Sequence, residues 1–274
     1  MTVSAAKASA RERWHPSALV TASLAAHAAA AGVLVLRPSV WPWVIGGLVA
    51  DHALLTAAGF VPRGSLLGPN WARLQPPATA RGEVAVTFDD GPDPEVTPRV
   101  LDLLDQHRVR ATFFCIGARV AANPELARDI VARGHAIENH SLRHLRRFSL
   151  LGPCAMTREI NAAQDLIASV VGVAPRFFRA PAGLRNPFLD PVLARIGLRL
   201  ASWTRRGFDT VNPHPDAVLR RLLRGLGSGD ILMLHDGHSA RMPNGQPVVL
   251  EVLPALLGAI AAERLTPVTL RSTL

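Results

Sequence analysis

The stretch EVAVTFDDGP, residues 83–92, contains an apolar run that ends in two aspartates and a Gly-Pro turn. Successive side chains of a strand point to opposite faces of the sheet, so adjacent aspartates inside a buried strand would force one carboxylate into the core. The pair fits only where the strand ends and the backbone turns, as Gly91-Pro92 indicates. We therefore predict that the strand ends at Asp89-Asp90 and that the two carboxylates have different neighbours and different roles.

Strand candidates of similar character recur along the rest of the chain, with periodic helical segments between them. They lie near residues 83–88, 111–116, 135–139, 176–179, 198–203, 230–234 and 267–270. Several of the intervening segments have Pro in the first turn and Gly at the end, which are common start and stop signals of helices. Seven strands alternating with six helices predict a parallel α/β arrangement, either open or barrel-like.

The first part of the chain has a different composition. Residues 1–17 form a polar basic tail, and residues 18–61 hold two apolar runs, each about long enough to cross a bilayer as a helix. We predict two transmembrane helices in a hairpin here, followed by a Pro/Gly-rich linker at 62–82 and a catalytic domain at 83–274. Two helices packed on a soluble domain, or one anchor plus an interfacial helix, are the alternatives.

Two features of the hairpin bear on its placement. Asp51 lies mid-span in the second run, where a carboxylate is costly and normally has a partner, and His27 on the first run is a candidate. Basic residues precede the first run and follow the second, whereas Arg37 stands alone between them. The positive-inside rule then places both ends, and the catalytic domain, on the cytoplasmic side of a bacterial inner membrane, with a periplasmic domain as the alternative.

The overall charge excludes little by itself. The formal net charge is +9, but 29 of the 30 basic residues are arginines scattered through the chain. This distribution does not indicate a phosphate-binding surface, and no nucleic-acid-binding motif accompanies it. We therefore expect no nucleic-acid partner.

Polar residues cluster directly after the predicted strands. Asp89-Asp90 follow the first strand, His140 and His144 the third, and Arg179 ends the fourth. Residues 203–209 follow the fifth and His235-Asp236 the sixth. The carboxyl ends of parallel strands are where ligands bind, so these clusters predict an active site on one rim.

The side chains in these clusters suit a hydrolytic metal site. His140 and His144 would share one face of a helical turn, and with a carboxylate from another strand they form a His₂-carboxylate site with open positions for water and substrate. One aspartate of the pair would hold the metal while its neighbour acts as base. His235 is the natural acid, Asp209 would orient it, and Arg179 could anchor the base.

Five motifs in this order resemble one known family. They are TFDDGP (87–92), HSLRH (140–144), RAPAG (179–183), W-x5-D (203–209) and LMLHD (232–236). The combination is similar to the NodB-like polysaccharide deacetylases, carbohydrate esterase family 4. The resemblance covers residues 83 to about 274 and implies a distorted (β/α) barrel that uses a divalent metal, usually Zn²⁺, to remove acetyl groups from N-acetylated sugars.

Carried over position by position, the resemblance implies roles for individual residues. Asp89 would be the base, held by Arg179, and His235 the acid, paired with Asp209. The implied metal ligands are Asp90, His140 and His144. The implied substrate contacts are Leu232, lining a pocket for the acetyl methyl group, and the backbone N–H of Ala182, while Trp203 is either a core residue or a platform for the sugar.

The chain departs from the family pattern at two positions. Ala182 stands where an aromatic residue usually precedes the glycine, and Thr210 stands where Trp usually follows the aspartate. Neither change removes an acid, base or ligand, but the groove should differ, which puts the usual polymer substrates in doubt. We expect a membrane-anchored deacetylase acting on an N-acetylated glycan or a lipid-linked sugar. An O-acetyl esterase, a deformylase and a non-catalytic glycan-binding barrel are the alternatives.

Overall fold

The computed structural model describes residues 14–274, so most of the predicted tail at 1–17 lies outside the described residues. The helices are α1 (Ala18–Leu36), α2 (Trp41–Gly59), α3 (Pro76–Ala80), α4 (Thr97–Gln106), α5 (Gly117–Ala122), α6 (Pro124–Ala132), α7 (Pro153–Val171), α8 (Leu189–Ile196), α9 (Pro215–Leu223) and α10 (Val248–Ala262). The strands are β1 (Glu83–Asp89), β2 (Thr112–Cys115), β3 (Ala136–Asn139), β4 (Phe177–Phe178), β5 (Arg199–Leu200), β6 (Arg205–Arg206), β7 (Ile231–His235) and β8 (Thr266–Pro267).

All of these strands pair in parallel, which confirms the predicted α/β class. Their order across the sheet is β5-β4-β3-β2-β1-β7-β6, and β8 pairs with the start of β1. In the centre of the sheet, Asp89 at the end of β1 is in register with His235 at the end of β7. The register brings two of the predicted catalytic side chains to the same rim.

The sheet curves into a barrel because of one short connection. β5 and β6 lie at opposite edges of the seven-strand order, yet only residues 201–204 join them. Six strand spacings in a flat sheet would cover about 29 Å, whereas five residue steps of chain reach at most about 18 Å. The two edges must therefore approach each other, and the carboxyl ends of the strands surround a common space.

The alternation along β1 separates two layers of core. Val84, Val86 and Phe88 pack with the surrounding helices in the largest apolar cluster. Ala85 packs on the other face, in the barrel interior, with Ile231 and Met233 of β7. Thr87 and Asp89 share this inner face by strand periodicity, so the strand delivers polar groups only to the interior.

The strand boundaries differ from the predictions at the edges of the sheet. β4 and β5 are only two residues long, and β8 covers Thr266–Pro267 instead of 267–270. The sequence prediction missed β6, Arg205–Arg206, because two charged residues on an edge carry neither an apolar run nor an alternation. Pairing with β7 defines this strand, and that pairing is a tertiary contact.

Residues 62–82, predicted as a linker, pack onto the barrel. Leu67, Leu74 and Ala78 are buried. Trp71 forms a parallel bridge with Ala201 and exchanges backbone hydrogen bonds with the chain on either side of it. This segment therefore covers the edge beside β5 and does not separate the hairpin from the barrel.

The two N-terminal helices, α1 and α2, form a hairpin whose outer surface is apolar. Both helices are long and apolar enough to span a membrane, and little of either is buried within the protein. Trp43 is 84% exposed and Leu36 81% exposed. At its base the hairpin docks on the barrel, where Ser17 Oγ donates to Leu66 O at 2.6 Å and Arg185 N donates to Gly59 O at 3.3 Å.

The mid-span carboxylate of the hairpin has a closer partner than the one predicted. Ser23 Oγ donates to Asp51 Oδ2 at 2.7 Å, while His27 Nδ1 lies 3.8 Å from the same oxygen. His27 Nδ1 is 2.8 Å from the carbonyl of Ser23, and its Nε2 is 3.2 Å from Nε2 of His52. Asp51 and His27 therefore belong to one polar cluster between the helices, and a serine supplies the shorter contact.

Candidate active site

The predicted catalytic and metal-binding residues converge on one cavity of about 230 Å³ at the carboxyl ends of the strands. The sequence-predicted residues that line it are Asp89, Asp90, His140, His144, Ala182, Trp203 and His235. Arg179 and Asp209 lie behind this lining, fully buried, and contact Asp89 and His235 respectively. Leu232 is the one predicted site residue that does not belong to the site.

The Asp-Asp pair is divided by the end of β1. Asp89 is the last residue of the strand, and Asp90 follows with a φ of 73°, in the left-handed region. A Cβ on Gly91 would overlap the Asp236 carboxylate, so only glycine lets the turn pass this close. The turn sends the two carboxylates to different neighbours.

Asp89 is held by a buried arginine. Arg179 Nη1 donates to Asp89 Oδ1 at 2.6 Å and to Thr87 Oγ1 at 2.8 Å, and Nη2 donates to Ser202 O at 2.7 Å. Its guanidinium carbon lies 4.0 Å from the centre of the Phe114 ring. Burial lowers the pKa of Arg179, and the charge of Asp89 opposes that shift. The arginine therefore fixes the orientation of the Asp89 carboxylate from the buried side of the cavity.

Three side chains converge with the spacing of metal ligands. Asp90 Oδ1 lies 3.4 Å from His140 Nε2 and 3.3 Å from His144 Nε2. Tetrahedral ligands at about 2.0–2.1 Å from a zinc ion are about 3.3 Å apart, so the observed spacing suits a small divalent cation. Asp90 Oδ1 is also buried without a hydrogen-bond partner among residues 14–274, which an ion would satisfy.

The surroundings of these three residues prepare them for a cation. His140 Nδ1 is 2.8 Å from the carbonyl oxygen of Arg179, which sets Nδ1 as the protonated nitrogen and leaves Nε2 as the ligand atom. Burial favours the neutral acid of Asp90, but the imidazoles of His140 and His238 outweigh it and hold the pKa of Asp90 well below its usual range. An ionised carboxylate and two imidazoles with free Nε2 atoms fit a divalent metal.

The two histidines do not share a helical turn, which corrects the sequence interpretation. Residues 140–145 form a loop in which Ser141 and His144 both have positive φ, 63° and 50°. The loop is tied down by Asn139 Oδ1, which accepts from Ser141 N at 2.9 Å, and by Ser141 Oγ, which accepts from His144 N at 3.0 Å. These side-chain bonds replace the backbone ladder of a helix, so the spacing of four residues converges here through a turn.

His235 faces the cavity with a carboxylate behind it. Asp209 accepts hydrogen bonds from His235 N at 2.7 Å and, through its other oxygen, from Nδ1 at 2.9 Å. The ring nitrogen left for the cavity is Nε2. Burial disfavours the imidazolium, but the charge and hydrogen bond of Asp209 outweigh burial and raise the pKa of His235 to about 9.

Of the three residues predicted to contact substrate, Ala182 and Trp203 line the cavity and Leu232 does not. Leu232 packs in the outer core with Val84 and Val86, while its neighbour Met233 lines the cavity. Alternate residues of β7 face opposite sides of the sheet, so the residue two positions before His235 points inward and the residue three before it points outward. Trp203 lines the cavity and also packs in the apolar cluster of the barrel interior.

Ala182 adopts an unusual backbone conformation beside the cavity. Its φ is 56°, and its N–H makes no hydrogen bond within the described chain. A Cβ on the following residue, Gly183, would overlap the Trp203 ring. The loop is therefore bent tightly against Trp203, and the Ala182 amide is left for another acceptor.

Besides Met233, the sequence interpretation missed two cavity-lining residues with titratable or charged side chains. His238 Nδ1 lies 3.1 Å from Asp90 Oδ2, the oxygen that faces away from the other histidines. The Arg206 guanidinium carbon lies 5.5 Å from the Trp203 ring centre and 4.8 Å from that of Phe208. The His-Asp-Gly-His spacing at 235–238 was a visible signal for His238, whereas Arg206 depended on the position of β6.

Comparison with known proteins identifies the family. Residues 77–201 match the family description "Polysaccharide deacetylase". A chitooligosaccharide deacetylase of Bradyrhizobium sp. (strain ANU 289) is 41% identical over 156 residues, 57% of this chain and 71% of the relative. The chain belongs to the polysaccharide deacetylase family. It is accordingly a hydrolase of the carbohydrate deacetylase class, on the NodB-type (β/α) barrel that the motifs predicted.

Two further proteins show how far the likeness extends. A peptidoglycan-N-acetylglucosamine deacetylase of Bacillus cereus is 36% identical over 175 residues, 63% of this chain and 81% of that protein. The structure of a family 4 carbohydrate esterase from Streptomyces lividans in complex with acetate superposes with a TM-score of 0.61 at 34% identity, covering 68% of this chain and 91% of the esterase. Membership of the deacetylase family thus rests on sequence and on fold.

Proposed function

We propose that the protein hydrolyses the N-acetyl group of an amino sugar at the cavity between Asp89 and His235, with a divalent cation held by Asp90, His140 and His144. The observation that carries the proposal is the convergence of three ligand atoms beside the separate carboxylate of Asp89. The two histidine Nε2 atoms lie 3.3 and 3.4 Å from Asp90 Oδ1, and all three ligand atoms lie within 4.8 Å of one another. Two imidazoles and one carboxylate with an open side favour zinc. When bound, such a cation polarises the amide carbonyl and makes water a stronger nucleophile.

The base in this reaction is Asp89. Its carboxylate lines the cavity, and Arg179 fixes its orientation from behind, so one oxygen remains to take a proton from the attacking water. Asp90, one residue away, is turned to the histidines by the left-handed backbone. The division of roles predicted from the Asp-Asp pair is therefore supported by two different sets of contacts.

The acid is His235. The raised pKa of its ring keeps it protonated at neutral pH, and Asp209 holds Nδ1 so that Nε2 donates toward the departing amine. The N–H of Ala182, which has no hydrogen-bond partner within residues 14–274, donates in this proposal to the oxygen that gains charge when water adds to the amide. Met233 and Trp203 supply an apolar wall against which the acetyl methyl group packs.

We further propose that the hairpin anchors the enzyme in a bacterial inner membrane and that its substrate is a lipid-linked sugar. The apolar exposed surface of α1 and α2 supports a membrane position. The basic residues Arg63, Arg73 and Arg81 follow the hairpin, and only Arg37 lies between its helices, which favours a cytoplasmic barrel. Reporter fusions at the C-terminus test the orientation, and a periplasmic readout would reject this placement.

The reaction is tested by product analysis. Metal-loaded protein is incubated with N-acetylated, O-acetylated and N-formylated amino sugars, and acetate and formate are quantified. The proposal expects acetate from the N-acetylated sugars. Preferential acetate release from esters would indicate an O-acetyl esterase, and preferential formate release would indicate a deformylase.

A ligand variant separates catalysis from glycan binding alone. His140→Ala should lose the bound metal and the hydrolysis together, whereas His107→Ala, just after α4 and remote from the cavity, should keep both. A wild-type protein that binds glycans but releases no acyl group after metal loading would instead support a non-catalytic binding barrel.

A further inference from the structure

A second cavity, of about 600 Å³, lies where the helical hairpin meets the barrel. We call it the hairpin cavity. Its walls come from α1, α2, the loop after β3 and the loop after β4. The large apolar residues among its lining are Leu24, Leu55, Phe60, Leu150, Leu184 and Phe188. Leu150 is 83% exposed and Phe60 63%, and convergence of such side chains from separate segments is typical of a site for a hydrophobic ligand.

One buried cation lines the same cavity. Arg185 is only 5% exposed, and its Nε has no hydrogen-bond partner among residues 14–274. Its guanidinium donates to the Gly64 carbonyl. The Asp190 carboxylate interacts with it electrostatically but forms no salt bridge with it, and accepts instead from Trp14 Nε1 at 2.7 Å. Buried charges are normally paired directly, so a guanidinium that forms no salt bridge within residues 14–274 and has an unpartnered Nε indicates that an anion binds at this position.

The hairpin cavity adjoins the active site through one short loop. Ala182 and Gly183 line the active-site cavity, while Leu184 and Arg185 line the hairpin cavity. Three residue steps cover at most about 11 Å, so the two sites lie within the reach of a single small molecule. A ligand in which a phosphate links a sugar to a hydrocarbon chain matches this arrangement. Its sugar would lie in the active-site cavity, its phosphate at Arg185 and its chain in the hairpin cavity.

We propose that the hairpin cavity holds the hydrocarbon chain of the substrate and that Arg185 binds the phosphate between that chain and the amino sugar. This inference rests on the proposed deacetylase function and narrows its substrate to an amino sugar carried on a lipid phosphate. Arg185 lies at the base of the hairpin, where its backbone N–H donates to Gly59 at the end of α2. In a membrane-spanning hairpin that level is the lipid–water boundary, where the phosphate of a lipid lies. A guanidinium is suited to bidentate phosphate binding.

The kinetic test compares two substrates with the full chain in detergent. The first is N-acetylglucosamine 1-phosphate esterified to a farnesyl chain, and the second is soluble N,N′-diacetylchitobiose. We expect wild-type kcat/KM to be at least ten-fold higher for the farnesyl compound. Arg185→Gln, which removes the cation, and Leu24→Trp, which fills the cavity, should each reduce this preference by ten-fold or more. Arg195→Gln on α8 and Val33→Trp on α1 are the matched controls and should leave it unchanged.

A binding test is independent of turnover. Native mass spectrometry of metal-free full-length protein is carried out with farnesyl phosphate, with inorganic phosphate and with phosphatidylglycerol. We expect retention of farnesyl phosphate by the wild type, loss of that retention in Arg185→Gln, and no retention of inorganic phosphate. Equal retention of phosphatidylglycerol would show that the cavity takes an ordinary bilayer lipid and would overturn the substrate assignment.

The outcomes separate this inference from the proposed function. Hydrolysis of the chitobiose without preference for the farnesyl compound, or an equal preference in wild type and Arg185→Gln, would reject the inference and leave the deacetylase function standing. Failure to hydrolyse either compound after metal loading, with farnesyl phosphate still bound, would reject the deacetylase function and retain the lipid-phosphate site. Loss of farnesyl phosphate binding in Arg195→Gln as well would show that the effect is not specific to Arg185.

Discussion

The Asp89 carboxylate and the Arg179 guanidinium lie 2.6 Å apart, between Oδ1 and Nη1, and both side chains are buried. The same Nη1 also donates to Thr87, and Nη2 donates to the Ser202 carbonyl. Arg179 therefore connects the end of β1 to the chain after β5, and the position of the proposed base depends on both. This contact explains why Arg179, which does not line the active-site cavity, should control the reactivity of Asp89.

Substitution Arg179→Lys should lower kcat/KM by roughly 100-fold or more. A lysine retains the positive charge but presents a single ammonium group, which cannot match the fork that contacts Asp89, Thr87 and Ser202 together. Steady-state kinetics of acetate release measure the effect, with Arg199→Lys on the exposed edge of β5 as control. Wild-type kinetics in Arg179→Lys would show that charge alone suffices to position the base.

Substitution Asp209→Asn should shift the alkaline limb of the pH–rate profile. As the proposed acid, His235 must be protonated, so activity should fall as pH rises through its pKa of about 9. Because asparagine lacks the charge that raises this pKa, the fall in activity should begin at least about one pH unit lower. Profiles of kcat/KM at saturating metal measure this, with the exposed Asp216→Asn in α9 as control; an unmoved alkaline limb would exclude His235 as the acid.

The same pair should make folding stability depend on pH. The pKa of His235 in the folded protein lies above the value of about 6.5 expected for an unfolded histidine, so the stabilisation is complete below about pH 6.5. It is lost as pH rises through about 9. The thermal midpoint of metal-free wild type should therefore decline more steeply between these values than that of Asp209→Asn. Equal declines of the thermal midpoint in both proteins would mean that the His235–Asp209 ion pair does not contribute to the pH dependence of stability.

Removal of the metal should abolish hydrolysis and destabilise the site. Without a cation, Asp90 Oδ1 remains a buried acceptor with no partner in the described chain. Chelation should stop acetate release and lower the thermal midpoint, and a divalent cation should restore both. Asp90→Asn should bind little metal, while Asp93→Asn, three residues further along the chain, should bind it as wild type does. Full activity of a preparation shown by elemental analysis to hold no metal would contradict the proposed site.

Alanine substitutions at the neighbouring β7 residues Leu232 and Met233 should have different effects, because the two side chains face opposite sides of the sheet. Met233→Ala should enlarge the wall of the active-site cavity and raise the rate on N-propionyl relative to N-acetyl sugars. Leu232→Ala should leave that ratio unchanged but lower the free energy of unfolding by about 2–5 kcal/mol, because its side chain is fully buried in the outer core. Both variants are compared by chemical denaturation and by substrate competition. A changed acyl preference in Leu232→Ala would instead support the sequence prediction that Leu232 lines the pocket for the acetyl methyl group.

The docking of the hairpin should depend on one glycine. A Cβ on Gly59 would overlap the Arg185 carbonyl, whereas a Cβ on Gly32 or Gly47 of the same hairpin meets no atom within 4 Å. Gly59→Ala should therefore lower the thermal midpoint in detergent and expose the base of the hairpin to protease. Gly32→Ala and Gly47→Ala should be neutral or slightly stabilising, since alanine favours a helix by about 0.5–1 kcal/mol over glycine. Equal behaviour of all three would mean that the hairpin is not held by this contact.

Local sequence was sufficient for the parts of this protein that local physics controls. The alternation of apolar strands and capped helices predicted the parallel class, because burial on both faces and helix termini leave their marks within a few residues. The end of β1 at the two aspartates followed from strand geometry and from the cost of burying a carboxylate. The residue types proposed as acid, base and metal ligands followed from the chemistry that each side chain can perform.

Tertiary structure alone decided the features that depend on which segments meet. Met233 faces the active-site cavity and Leu232 does not, because the inward face of β7 is set by pairing with β1. His238 reaches Asp90 only through the turn after β7, and β6 exists only through its pairing with β7. The hairpin cavity with Arg185 arises where segments far apart in the chain pack together, and no local pattern encodes such a contact.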